Sequence, residues 1–128
     1  MQTSTNDAIQ ILKHLHEHRG NLQTAWMIAQ SIGITYPLFA RLATRLRKAG
    51  LVTSAPGRNG GYVLGKPAHE ISFYDVLSAI EGERPISASL GDGQHRVEGN
   101  DCKVHAFLQA VQDHVIAEMS DKYIADFV

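Results

Sequence analysis

The basic side chains of this 128-residue sequence are concentrated in one stretch. Residues 18–69 contain seven Lys and Arg and no Asp or Glu, whereas residues 70–128 contain eleven acidic residues against four basic ones. The formal net charge of −1 is therefore an average over a basic part and an acidic part. Because clustered cations attract phosphate groups, the basic stretch favours a polyanionic partner such as nucleic acid.

Within this stretch, the spacing of the cations indicates how they could read DNA. Arg41, Arg45 and Lys48 are four and three residues apart, which places them on one face of a helix. Arginine can bond both acceptors of guanine, whereas lysine mainly meets phosphate charge. Arg58 and Asn59 lie among glycines that allow the backbone to approach a phosphate strand. Cations near a helix C-terminus also stabilise the helix without any ligand. Lys48 is therefore interpreted either as a DNA contact or as a residue that stabilises the end of its helix.

Hydrophobic periodicity and capping signals predict the elements that hold these residues. A first helix is predicted over residues 7–18, with Thr5 or Asn6 as its cap. Thr24 is expected to cap a short second helix, and Thr35 is expected to cap a third. The sequence thus begins with three helices joined by short connections.

A β-hairpin is predicted after the third helix, with strands over residues 51–54 and 61–64. A fourth helix follows Ser72, which is expected to form a reciprocal cap with Asp75. This order of elements is that of a winged helix-turn-helix, in which the third helix enters the major groove of DNA. The predicted DNA-binding residues are then Thr24, Thr35, Tyr36, Arg41, Arg45, Lys48, Arg58 and Asn59.

The rest of the sequence predicts a loop and a long helix. Residues 83–100 include several glycines without a clear period, which is typical of a long loop. From Asp101, apolar residues follow one another at steps of four or three, the seam spacing of a helix that packs against another helix of the same chain or of a second copy. The seam consists of Val104, Leu108, Val111, Val115 and Met119. The predicted fold is mostly α with a small β-hairpin, divided into a DNA-binding domain over 1–82, the loop 83–100, and a dimerisation helix with a C-terminal segment over 101–128.

Several motifs, taken together, resemble those of the Rrf2 family of bacterial transcription regulators, which includes iron–sulphur, nitric-oxide and cysteine-metabolism regulators. They cover residues 34–35, 45–52, 60–64, 71–82 and 124–128. The resemblance implies a homodimeric regulator, usually a repressor, that binds a palindromic site on double-stranded DNA. It also implies that the long last helix forms the dimer interface and that the final segment packs onto the partner chain.

Cys102 is the single cysteine, whereas cluster-binding members of this family carry three. Because iron–sulphur clusters need mostly thiolate ligands, the sequence predicts no cluster, no metal and no other cofactor. Cys102 is then a structural residue or a thiol sensor, whose thiolate Lys103, His105 and the helix N-terminus would favour. An atypical metal or cluster site built from Cys102 and His105 is a further alternative. A catalytic pair of these two residues would lack an orienting partner, so no enzyme is predicted.

The remaining features set the expected location and leave one rival function open. No apolar run approaches the ~18 residues of a membrane span, and the first residues lack a signal-peptide pattern, so a cytoplasmic location without membrane contact is expected. His14 and His18 share a helix face without a third ligand and are predicted to be solvated. Trp26 and Met27 lie near a helix start, where they could instead serve a winged helix that binds another protein. A small-molecule or redox effector is compatible with the sequence, which does not identify one.

Overall fold

The N-terminal part of the fold consists of three helices: α1 (Thr3–Glu17), α2 (Ala25–Ile32) and α3 (Tyr36–Lys48). The computed structural model describes residues 3–58, 60–82 and 101–128. The predicted caps of α2 and α3 are confirmed, since the Thr24 hydroxyl accepts a hydrogen bond from the Met27 amide at 3.1 Å and the Thr35 hydroxyl accepts one from the Leu38 amide at 3.3 Å. Local capping therefore sets where both helices begin.

The predicted start of α1 is wrong, because the helix begins at Thr3 instead of near residue 7. Thr5 lies inside the helix and is fully buried. Its hydroxyl donates to the Glu81 carboxylate at 2.9 Å, a partner at the other end of the N-terminal part of the chain. The side chain that was expected to cap α1 is thus used in a tertiary contact.

A two-stranded antiparallel hairpin follows α3 and is called the wing. Strand β1 (Val52–Ala55) pairs with β2 (Gly61–Leu64), so that Val52 faces Leu64 at the base and Ala55 faces Gly61 near the tip. The hairpin is confirmed, with β1 shifted one residue along the chain from its predicted span.

The wing is also tied to the segment that precedes α2. The Tyr62 amide donates to the Gln23 carbonyl at 2.8 Å, and the Gln23 amide donates to the Tyr62 carbonyl at 3.2 Å. At Gly61 a Cβ atom would lie 2.8 Å from the same Gln23 carbonyl oxygen, so only glycine allows this close approach. The position of the wing relative to α2 is therefore set by backbone contacts that no local sequence pattern predicts.

The predicted fourth helix, α4 (Phe73–Glu81), packs against α1 and α3. Its capping box is confirmed, since the Ser72 hydroxyl accepts from the Asp75 amide and the Asp75 carboxylate accepts from the Ser72 amide, both at 3.0 Å. The apolar faces of these helices meet in one core. The largest buried side chains of this core are Phe39, Ile11, Leu12, Leu15, Ile28, Leu42, Leu46, Leu51, Ile71, Ile124 and Val76.

The long last helix, α5 (Asp101–Ser120), is confirmed and packs in part against α4. The predicted loop 83–100, and with it the boundary at residue 82, lies outside the described residues, and the division of the chain into three parts stays a prediction. Among the described residues, no helix is both long enough and apolar enough to cross a membrane.

After α5 the chain returns to its own N-terminal part with Ile124, while packing of the residues after Ile124 onto a partner chain stays a prediction. Ile124 is fully buried in the same core as α1 to α4, and its amide donates to the Ile71 carbonyl at 2.8 Å. The Phe127 ring lies edge-on to Phe73 at 6.3 Å between centroids. Ile124 begins a short 3-10 helix, Ile124–Phe127. It reaches the core of its own chain because α5 packs against α4 and so returns the chain to the N-terminal part.

The prediction that His14 is solvated is also wrong. His14 is 8% exposed, and its Nε2 lies 2.9 Å from Gln23 Oε1. His18 is exposed as expected, but it stacks on the His14 ring at 4.2 Å and its Nδ1 contacts the His14 carbonyl at 2.9 Å. A buried polar ring needs such a partner, and the side chain of Gln23 supplies it beside the backbone contact with the wing.

Candidate nucleic-acid interface

Two helix N-termini present their capping threonines to solvent. Thr24 and Thr35 are both exposed, and each hydroxyl oxygen already accepts a hydrogen bond from its own helix. The hydroxyl hydrogen of each therefore remains available to a phosphate oxygen. The partial positive charge of a helix N-terminus favours an anion at the same place.

Arg41 and Lys48 lie on the exposed side of α3, whereas Leu42 and Leu46 are buried on its inner side. Among the described residues, neither cation has a hydrogen-bond or ion-pair partner. Their charges are thus uncompensated by any acid of the described chain, as expected for side chains that meet phosphate or guanine.

The structure separates Arg45 from these two cations. The Arg45 guanidinium donates to the Ile80 carbonyl in the last turn of α4. A neighbouring cation, Arg47, donates to the Ser54 hydroxyl on β1 at 3.2 Å. Arg45 is therefore partly engaged in holding α3 against α4, and Arg47 links α3 to the wing.

The tip of the wing brings one further cation to the surface. Arg58 is exposed, and it has no hydrogen-bond or ion-pair partner within the described ranges. It follows Gly57, whose φ of 100° is a left-handed conformation that glycine adopts without strain. Asn59, predicted as its neighbour at the interface, lies outside the described residues. We call the exposed residues Thr24, Thr35, Arg41, Lys48 and Arg58 together the basic face.

Apolar side chains and one hydroxyl surround the basic face. Tyr36, at the first position of α3, is 56% exposed. Near the start of α2, Trp26 is 66% exposed and Met27 is 45% exposed. Thr44, which sequence reasoning missed, is exposed on α3 one turn after Arg41, with its hydroxyl donating to the Ala40 carbonyl. Its spacing of three from Arg41 was the signal that could have identified it.

Tyr62 does not belong to this face. Its ring lies half-buried, edge-on to Phe39 at 5.2 Å between centroids. Tyr62 is therefore a packing residue of the hairpin.

The predicted seam of α5 is only partly covered by its own chain. Val104 is 58% exposed, whereas Leu108, Val111, Val115 and Met119 are half-buried. Phe107, which sequence reasoning missed, is 65% exposed on the turn next to Val104. Of the two candidate sensor residues, His105 is exposed and the Cys102 side chain lies outside the described part of the structure.

Comparison with known proteins gives the family context of this geometry. Residues 1–128 match the family model Rrf2, described as an iron-dependent transcriptional regulator. Over 115 residues the chain is 33% identical to the transcriptional regulator IscR of Photorhabdus laumondii, covering 89% of this chain and 68% of that protein. Across several IscR proteins, the match spans 60% to 68% of their length.

Solved structures agree on the fold. CymR, the global cysteine regulator of B. subtilis, superposes with a TM-score of 0.79 and 26% identity, covering 99% of this chain and 94% of that one. IscR of T. potens superposes with a TM-score of 0.75 and 24% identity, covering 99% and 84%. The winged-helix arrangement predicted from the sequence is thereby confirmed.

The donor set of this chain does not fit the iron that the family description implies. Cys102 is its single cysteine, and clusters are held mostly by thiolates. Among the described residues, there is no group of three or more His, Cys, Asp or Glu side chains placed to hold a metal ion. We therefore derive no function of this chain from bound iron.

Proposed function

The chain belongs to the Rrf2 family of transcriptional regulators, and from this premise we propose that it is a homodimeric repressor of a palindromic operator. The single observation that carries the proposal is the basic face, in which the cations of α3 and the wing are exposed and have no ion-pair partner among the described residues. The α3 helix would enter the major groove, and Arg58 would reach the flanking backbone.

Selection of bound sequences from a random DNA pool tests this proposal. A two-fold symmetric dimer should enrich an inverted repeat whose half-sites are about one DNA turn apart, ~34 Å along the helix axis. A single unrepeated motif would contradict the dimer, and the absence of any enriched motif would contradict sequence-specific binding.

A winged helix that binds another protein is the second candidate function. The observation in its favour is the exposure of Trp26 and Met27, because large apolar side chains in a surface cluster are typical of protein contacts. In that case, partner binding would depend on Trp26 and would survive the loss of the cations of the basic face.

We further propose that operator binding responds to oxidation of Cys102. The residue lies in the first turn of α5, where the helix N-terminus favours a thiolate, and the cation Lys103 follows it in the sequence. Peroxide would oxidise this thiolate to a sulfenic acid while one oxygen of the peroxide leaves as water or hydroxide.

For the wild-type protein, treatment with hydrogen peroxide is expected to lower operator affinity roughly tenfold, a change of about 1.4 kcal/mol. Cys102→Ser should bind the operator with unchanged affinity before and after treatment, as measured by fluorescence anisotropy with a labelled operator. An equal response of both proteins would make Cys102 structural. A visible spectrum of anaerobically purified protein is the control for the cluster alternative, since thiolate–iron absorption would reinstate a site at Cys102 and His105.

A further inference from the structure

An open cleft of about 480 Å³ lies away from the basic face. Its walls come from the C-terminal end of α1, the chain that follows the base of the wing, and the final 3-10 helix. Leu64 borders the cleft and pairs with Val52 at the end of the hairpin opposite to the tip that carries Arg58. The cleft is therefore separate from the surface proposed to meet DNA.

The rim of this cleft carries basic side chains and its floor is apolar. Four of the nine lining residues are His16, Arg19, Lys66 and His69, and none of the nine is acidic. Leu64, Pro67, Ala68 and Ala125 supply the apolar surface. A volume of this size lies within the range of ligand clefts, ~300–1,000 Å³.

The two permanent charges of the rim are not compensated by the described part of the chain. Arg19 donates to the His16 carbonyl at 2.9 Å, a contact that leaves most of its donors free and its charge unpaired. Lys66 has neither a hydrogen bond nor an ion pair with any described residue. Of the basic rim, His69 alone approaches an acid within the described ranges, since its Nε2 lies 3.7 Å from Glu70.

We propose that this cleft binds a small organic carboxylate with an apolar body. The carboxylate would be held between Arg19 and Lys66, because a charge-assisted hydrogen bond to a cation is roughly twice as strong as a neutral one. The apolar body would cover Leu64 and Pro67, which lie beside these cations in the wall.

The cleft wall is also coupled mechanically to the wing. The Gly65 amide donates to the Leu51 carbonyl at 2.9 Å, and a Cβ at Gly65 would collide with the Gly50 carbonyl oxygen just after α3. A ligand that displaced the segment from Gly65 to Pro67 would act on the backbone between α3 and the wing through these two contacts. The proposal that a bound carboxylate changes operator binding rests on the proposed function, whereas the proposal that the cleft binds a carboxylate does not.

Isothermal titration of the full chain with three probes tests the cleft itself. Benzoate carries both the charge and the apolar body, benzamide lacks the charge, and acetate lacks the apolar body. Benzoate is expected to bind in the millimolar range or tighter, with benzamide and acetate each weaker by roughly tenfold. Equal affinity for benzoate and benzamide, or no heat of binding with benzoate, would overturn the proposal.

Variants locate the site, with a lysine of α1 that lies outside the cleft as the control. Arg19→Gln and Lys66→Gln should each weaken benzoate binding roughly tenfold, whereas Lys13→Gln, which lies on α1 outside this cleft, should leave it unchanged. If Lys13→Gln weakened benzoate binding equally, the effect would come from the net charge of the protein, and the proposed site between Arg19 and Lys66 would be contradicted. All three side chains are at least partly exposed, and circular dichroism spectra check that each variant is folded.

Operator affinity with and without benzoate then separates the two proposals. A benzoate-dependent change that is lost in Lys66→Gln supports the coupling, and bound benzoate without any change in operator affinity overturns it. Failure to bind DNA at all, with benzoate binding intact, would refute the proposed function and leave the cleft in place.

Discussion

Replacing Arg41 and Arg58 together by alanine should weaken operator binding about 100-fold, because each contact to a base or phosphate contributes roughly 1–3 kcal/mol. The two side chains lie on different elements of the basic face, α3 and the wing, and both are exposed without partners among the described residues. Their removal takes away DNA contacts while leaving the core untouched, so the midpoint of urea unfolding should not change.

Fluorescence anisotropy with a labelled operator at several salt concentrations measures this effect. If both arginines meet phosphates, the slope of log affinity against log salt should become shallower by about two. Lys122→Ala is the control for the loss of a cation as such, because it removes a single exposed cation that lies beyond α5 and does not belong to the basic face. Unchanged affinity in the double variant would exclude the basic face as the DNA surface and would favour the protein-binding alternative.

Arg45→Ala should behave differently from the double variant. Since the Arg45 guanidinium donates to the Ile80 carbonyl, its removal should lower the free energy of unfolding by about 1 kcal/mol in addition to any loss of DNA affinity. This difference separates a cation that holds α3 against α4 from cations that are free for DNA.

Introducing glutamate at both Val104 and Phe107 should convert the proposed dimer into a monomer and weaken binding to the proposed palindromic operator by at least ~100-fold. Both side chains are more than half exposed in the single chain, so the substitutions should not unfold it. In a symmetric interface each substitution is repeated in the partner, so four added charges would be buried near one another. The loss of DNA affinity follows because two linked half-sites bind more tightly than one.

Sedimentation equilibrium measures the mass of the assembly, and anisotropy measures operator affinity in the same samples. Ala106→Glu is the control for an added negative charge, because it places one such charge at an exposed position of α5 on the side opposite the seam. A wild-type chain that sediments as a monomer, or a double variant that stays dimeric, would contradict the α5 interface.

Much of the fold was predictable because its signals are local. Thr24, Thr35 and Ser72 cap helices through hydrogen bonds that span three residues, and such bonds depend only on neighbouring residue types. The basic stretch over residues 18–69 was equally easy to recognise, since its charge follows directly from the residue types in the sequence. These features were enough to predict a winged helix-turn-helix, whereas the assignment of its DNA-facing residues stays a prediction.

The contacts that join distant parts of the chain were not predictable in this way. Thr5 meets Glu81, His14 meets Gln23, and Ile124 enters the core, each through a partner that no spacing rule identifies. The same reason explains why Phe107 was missed, since its exposure depends on how α5 lies against α4 and not on the pattern of α5 itself.

By itself, the sequence determined which elements form and that the cations belong to one stretch of the chain, because caps, periodicity and charge act over a few residues. Only the tertiary structure decided how those cations are used. Packing of α3 against α4 engages Arg45 with the Ile80 carbonyl, whereas Arg41 and Arg58 remain free for a partner. Packing of the final segment against α1 brings Ala125 to Arg19 and Lys66 and thereby builds the cleft, because residues far apart in sequence become neighbours only when the core closes.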